Sequence, residues 1–159
     1  MIPGKKHLII PLTLFALALH CTPLFAASHE GHQMKADAGG ATQAPVFAAM
    51  PGPGKKVPIG NGSYLIFDFD KKPKMGTVIM KVEVYDSAGK RDTSMEVLAD
   101  SGMPSMRGAH ETGDQPFKIS RKGEYLLPVN IVMPGDWEIR LTVRKDGKVI
   151  FRGKYNFDV

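Results

Sequence analysis

From residue 136 to 144 apolar and polar side chains alternate without a break: Trp137, Ile139, Leu141 and Val143 interleave with Glu138, Arg140, Thr142 and Arg144. A period of two fits an extended strand with one buried face and excludes an amphipathic helix over the same residues. Asp146-Gly147 follows, a pair that supplies the positive-φ positions of a tight hairpin turn. The chain then returns through Val149, Phe151, Tyr155, Phe157 and Val159 on one face, with Gly153 read as the site of a bulge. A lone hairpin cannot hide such a face, so further strands must come from upstream.

They do. Residues 77–85 turn Val78, Met80, Val82 and Val84 one way, and the polar turn 86–90 leads into a strand expected over 91–99 with Met95 and Val97 inward. An opening strand covers 63–69 around Leu65, Phe67 and Phe69, and Phe117 with Ile119 marks a short one. Residues 125–133 align Tyr125, Leu127, Val129, Ile131 and Met133. Pro128 interrupts that run; it has no N–H for a ladder, so the strand must bulge or lie at an edge there. The outer charges of all these strands read as solvated faces. Short strands punctuated by turns, with no helical period, predict an all-β fold: an immunoglobulin-like β-sandwich of about seven strands over 59–159, with an up-and-down barrel as the alternative. The paired cysteines of antibody domains are absent, yet Trp137 is a candidate for the aromatic between the sheets.

The first 27 residues have another character. Lys5 and Lys6 precede an apolar run from Leu8 to Leu19, and small residues stand at Ala26 and Ala27. That order is a cleavable secretory signal, with an apolar run too short to cross a bilayer comfortably. Lipidation at Cys21 is disfavoured because His20, not a small residue, precedes it. Cleavage after Ala26 or Ala27 would remove the single cysteine and exclude disulfides from the fold. Residues 28–58 are rich in Ala, Gly, Pro and His without apolar period, and are expected to be a flexible tether. The expected product is periplasmic or secreted, without a membrane span after cleavage. Loss of Lys5 and Lys6 leaves 19 basic against 16 acidic residues, a net +3 with histidine neutral. So mild an excess, without aromatics set among arginines, excludes nucleic acid as the natural partner.

Three short runs, Met103-Pro-Ser-Met106, Gly123-Glu124-Tyr125 and the 134–139 segment Pro-Gly-Asp-Trp-Glu-Ile, resemble those of the YtkA-like and FixH-like family of exported β-sandwich domains. The resemblance extends over residues 76–159. It implies an immunoglobulin-like fold outside the cytoplasm, and relatives associated with copper handling or with membrane efflux assemblies. An envelope metal-transport or efflux component is the partner it suggests. Because no retained membrane anchor is expected here, it does not imply a direct part in oxidase assembly.

Chemistry concentrates in the long segment 100–114, read as a loop. It holds Met103, Met106 and His110, two thioethers and an imidazole. Thioether sulfur suits Cu(I) and imidazole accepts either copper oxidation state, so copper is the expected ion. The tether adds a weaker set, His29, His32 and Met34. The competing reading is that Met103 and Met106 plug the end of the core, as methionine does in irregular gaps, and that His110 is merely solvated. No nucleophile–base arrangement, His-Glu-x-x-His run or phosphate loop occurs, so no enzyme is expected. The second functional expectation is a protein-interaction module that recruits partners through edge strands and end loops.

Overall fold

A computed structural model describes residues 44–159. They form ten strands: β1 (Ala48–Ala49), β2 (Lys56–Gly60), β3 (Ser63–Phe69), β4 (Gly76–Tyr85), β5 (Glu96–Gly102), β6 (Gln115–Pro116), β7 (Lys118–Ile119), β8 (Tyr125–Ile131), β9 (Asp136–Lys145) and β10 (Lys148–Asp158). Two five-stranded sheets result, β1-β10-β9-β5-β6 (sheet A) and β2-β3-β4-β8-β7 (sheet B). The fold is the expected all-β sandwich. Seven strands have five residues or more; β1, β6 and β7 have two each.

The core is the alternating set read from the sequence. Leu65, Phe67, Val78, Met80, Val82 and Val84 from sheet B meet Val97, Ile139, Leu141 and Val143 from sheet A, all at 2% exposure or less. Trp137 is 2% exposed, and its indole N–H donates to the Met133 carbonyl at 3.0 Å. Tyr125, 1% exposed, ties the sheets with both functions of its hydroxyl: it donates to the Met95 carbonyl at 2.9 Å and accepts the Met95 N–H at 3.1 Å. Burial, which disfavours the phenolate, pushes the Tyr125 pKa up.

Local rules explain the joints. Asp146 and Gly147 both have positive φ, 51° and 74°, as the β9–β10 hairpin requires. Pro128 pairs with Ile79 on one side, while β7 reaches only Tyr125 and Leu126 on the other, so the missing N–H falls at an unpartnered edge.

Several expectations need correction. Strands β1 and β2 fall largely within the stretch read as tether, 28–58: Ala48 and Ala49 pair parallel with Gly153 and Lys154, and Met50 and Val57 are buried. The ordered domain therefore begins before residue 59. The strand expected over 91–99 begins only at Glu96 and runs on to Gly102, because Arg91 makes only an isolated bridge to Tyr85 and the chain joins β9 at Glu96. The bulge of β10 lies between Val149 and Phe151 instead of at Gly153. Gly153 serves close packing: a Cβ there would stand 2.7 Å from the Met50 side chain. The signal segment, Cys21, His29, His32 and Met34 lie outside the described residues. Among the described residues no helix is long and apolar enough to cross a membrane.

Candidate functional site

The segment expected as a loop over 100–114 is shorter than that, since Asp100, Ser101 and Gly102 complete β5. What remains folds back across the outward face of sheet A. Met103 leaves β5 pointing into the core, 4% exposed, and its methyl fills the space beside Gly135: a Cβ on that glycine would lie 2.7 Å from it. Gly135 also has φ 135°, a backbone that other residues rarely adopt.

Two turns follow in succession. The Met106 N–H donates to the Met103 carbonyl at 2.9 Å, closing a 3-10 turn over Pro104–Met106. The Ala109 N–H then donates to the Met106 carbonyl at 3.1 Å. Bonds of this kind keep residues three apart within about 7 Å between Cα atoms. Met103, Met106 and the Ala109-His110 pair are thereby wound into one compact coil. Met106 is 41% exposed and His110 partly so. Among the described residues neither side chain enters a hydrogen bond or ion pair.

The coil is anchored on both flanks. Ser105 donates through its N–H, at 3.0 Å, and its hydroxyl to the two carboxylate oxygens of Asp136. These bonds hold the Asp136 carboxyl below the usual range. Arg107 reaches Glu138 at 2.7 Å and Glu111 at 3.3 Å, and Arg140 joins Glu111 and Asp100. Thr112 accepts the Ser101 N–H at 3.0 Å and donates its own N–H to the Ser101 carbonyl at 3.1 Å. Gly102 lets this return pass closely, because a Cβ there would meet Glu111 at 3.0 Å and the His110 carbonyl at 3.3 Å.

Beneath the loop lies a feature that sequence reading missed. Glu138, on the outward phase of β9, is 3% exposed and receives Arg107, Lys154 at 3.3 Å and Arg140 at 3.5 Å. Burial alone would push its carboxyl up; the bonds from Arg107 and Lys154 outweigh that and hold it below the ordinary value. Phe47 walls the same cavity of about 350 Å³ and lies under the Arg140 guanidinium, 5.9 Å from its ring centroid. A charge in the middle of a central strand was the available signal, but its partners sit 31 residues upstream and 16 downstream.

The donor chemistry of the loop can therefore be sorted. Its Asp100 and Glu111 carboxylates face arginine guanidinium groups, and among the described residues no group of three His, Cys, Asp or Glu side chains could hold an ion. With Met103 buried in the core, the Met106 thioether and the His110 imidazole remain, donors of the type a soft ion takes.

No family model matches the chain, and no curated protein matches it. Solved structures similar to it include two of one protein. FetP of uropathogenic Escherichia coli strain F11, as isolated after expression in the periplasm, is 13% identical with a TM-score of 0.45, over 67% of this chain and 93% of that one. A copper-bound variant of the same FetP is 12% identical with a TM-score of 0.46, over 66% and 93%.

Proposed function

We propose that this chain is an exported, non-catalytic metal-binding or metal-relay protein, with copper as its ion and the loop after β5 as its site. The reading draws its family context, YtkA-like and FixH-like, from the sequence motifs alone. One observation carries it: the two successive turns sharing Met106, which gather Met103, Met106 and His110 on a coil fixed at both flanks. Met106 and His110 are the donors open to solvent; Met103 fixes the coil to the core. Cu(I) accepts thioether sulfur and exchanges readily from such sites, and imidazole would also serve Cu(II). An envelope metal-transport or efflux component is the partner class that suits a relay.

Titration with Cu(I) against a competing chelator tests this. His29→Ala with His32→Ala and Met34→Leu would first silence the tail. On that background, Met106→Leu with His110→Ala removes two donors and is expected to weaken Cu(I) binding at least about tenfold, since loss of even an outer-shell partner of a metal ligand costs about that much. Unchanged affinity, with an unchanged melting temperature showing an intact fold, would overturn the reading.

A further inference from the structure

Both sheets lose their edge partners on the same side of the sandwich. On sheet A, β1 covers β10 only at Gly153 and Lys154, and the last bond is from the Met50 N–H to the Lys154 carbonyl at 2.8 Å. Pro51 and Pro53, which have no N–H, then carry the chain from this edge across to sheet B, with Pro53 lining the space between. Val159 exchanges both backbone bonds with Gly135, at 2.8 and 3.0 Å. The antiparallel alternation therefore turns the backbone groups of odd-numbered residues toward β9 and those of Asn156 and Asp158 outward. Both residues are exposed. On sheet B, β2 pairs with β3 as far as Ile66 and the Gly54 N–H reaches the Phe67 carbonyl at 2.8 Å, so only Phe69 beyond it lacks a strand partner on that side.

Between the open end of the β10 edge and the end of β3 lies a cleft of about 330 Å³, and its walls include Phe69, Tyr155 and Phe157. Their rings form one cluster: Phe69 lies 6.2 Å from Tyr155 and 6.1 Å from Phe157, and the last two stack at 5.7 Å. Lys71, Lys72, Asp68 and Asp158 stand on the rim, which Pro53 and Pro73 complete. The Asp68 carboxylate turns back to accept the Phe69 N–H at 2.8 Å, and that of Asp70 takes the Ile79 N–H at 2.8 Å. Among the described residues Lys71, Lys72 and Lys74 enter no ion pair. Lys71 and Lys72 are thus open to an acidic group on the β3 side, while the Asp158 carboxylate, also in no ion pair among the described residues, stands on the β10 side.

We propose that this cleft binds an extended peptide segment of another protein, added as a strand to β10, with one aromatic side chain among Phe69, Tyr155 and Phe157 and an acidic neighbour against Lys71 and Lys72. The chain's own Ala48–Met50 segment already occupies the first part of the same edge, so the added strand continues an existing ladder. Outward N–H and C=O groups on Asn156 and Asp158 supply the main-chain bonds, and the aromatic slot supplies the selectivity that strand addition otherwise lacks. A second copy pairing through Asn156 and Asp158 of both molecules is the competing occupant that the test must exclude. None of these residues is a soft donor, so the inference goes beyond the metal reading and stands or falls separately from it.

The test is a backbone-amide NMR titration of the full chain, in the presence of a metal chelator. The probe is a peptide of about eight residues, alternating threonine and glutamate around one central phenylalanine. Shifts at Asn156, Asp158 and the 68–73 turn are expected, with the alanine-centred peptide binding about tenfold more weakly. A peptide with proline on either side of the phenylalanine, unable to make ladder bonds, should lose binding. Lys71→Glu with Lys72→Glu, exposed changes that leave the core alone, should weaken it about tenfold. Absent shifts, shifts confined to residues 103–113, or indifference to the prolines or the lysine reversals would each overturn the proposal. So would an edge-paired dimer that excludes the peptide.

Discussion

The two sheets bury their inward faces alike and differ on the outward ones. On sheet B the outward residues Asp68, Lys81, Glu83, Leu126 and Asn130 are all exposed or half-buried. On sheet A, Leu98, Glu138 and Thr142 hold the same phase and are 6%, 3% and 3% exposed. Strand alternation fixes which side chains face the other sheet; whether the opposite face meets water depends on what the loops do. Here the loop after β5 lies over sheet A, and on the outward face of β9 Glu138 and Thr142 are buried while Arg140 and Arg144 stay half-exposed, although the sequence alternates as if that whole face were wet. The consequence for function is that the soft donors ride on a loop with a floor of its own, not on a free tip.

The largest effect belongs to the shared inward face. Trp137→Ala removes a side chain packed between the sheets and the donor to the Met133 carbonyl, and should cost about 3–5 kcal/mol. A domain without disulfides has little to spare, so much of the protein should unfold near ambient temperature. Calorimetric melting checks it, and a small change in melting temperature would show that the inward faces do not carry the fold.

A smaller effect separates the two outward faces. Glu138→Ala leaves Arg107, Lys154 and Arg140 without their common carboxylate. Arg107 is about half exposed and can turn to water, so the cost falls below that of a fully buried pair, at about 2 kcal/mol. The pH dependence follows from the lowered carboxyl. A folded-state pKa below the unfolded value contributes stability that is complete above the unfolded pKa, about 4.3 for glutamate, and is lost as pH falls through the folded one. Glu138→Gln should therefore lower stability at neutral pH and flatten its decline below about pH 4. Denaturant titrations at a series of pH values give the slope, and a slope equal to the parent's would remove Glu138 from the account.

How far this architecture was legible follows from the same distinction. The inward set from Leu65 to Val143 was readable because periodicity is local and each strand declares its own buried phase. β2 was also readable in principle: Val57 and Ile59 alternate, and Asn61 with Gly62, at φ 50° and 73°, forms the β2–β3 hairpin turn. The Pro-Gly run just upstream gave those residues the look of a linker. β1 was not readable, since two alanines carry no period and their pairing is set by β10, more than a hundred residues away. The donors divide likewise. Met103, Met106 and His110 were visible as residue types on one segment, but the burial of the first and the exposure of the second depend on a single turn. The arginine and lysine around Glu138, and the aromatic cleft between β3 and β10, arise only when distant strands meet.

The smallest effect belongs to the outward face of sheet B. Glu83 there pairs with Arg91 and accepts the Tyr85 hydroxyl at 2.7 Å, one cation and a hydroxyl against the three cations around Glu138. Its side chain retains 26% of its exposure, and that of Arg91 33%. Water already solvates both charges, so truncation strands neither, and Glu83→Ala should cost under about 1 kcal/mol. Added salt should shrink that difference further, because the Debye length falls to about 3 Å at 1 M. The cost of Glu138→Ala, under its loop, should respond much less. Equal costs and equal salt responses at the two positions would mean that the loop shields nothing. The bracing of Met106 and His110 would then lose its physical basis, since the loop would be as wet below as above.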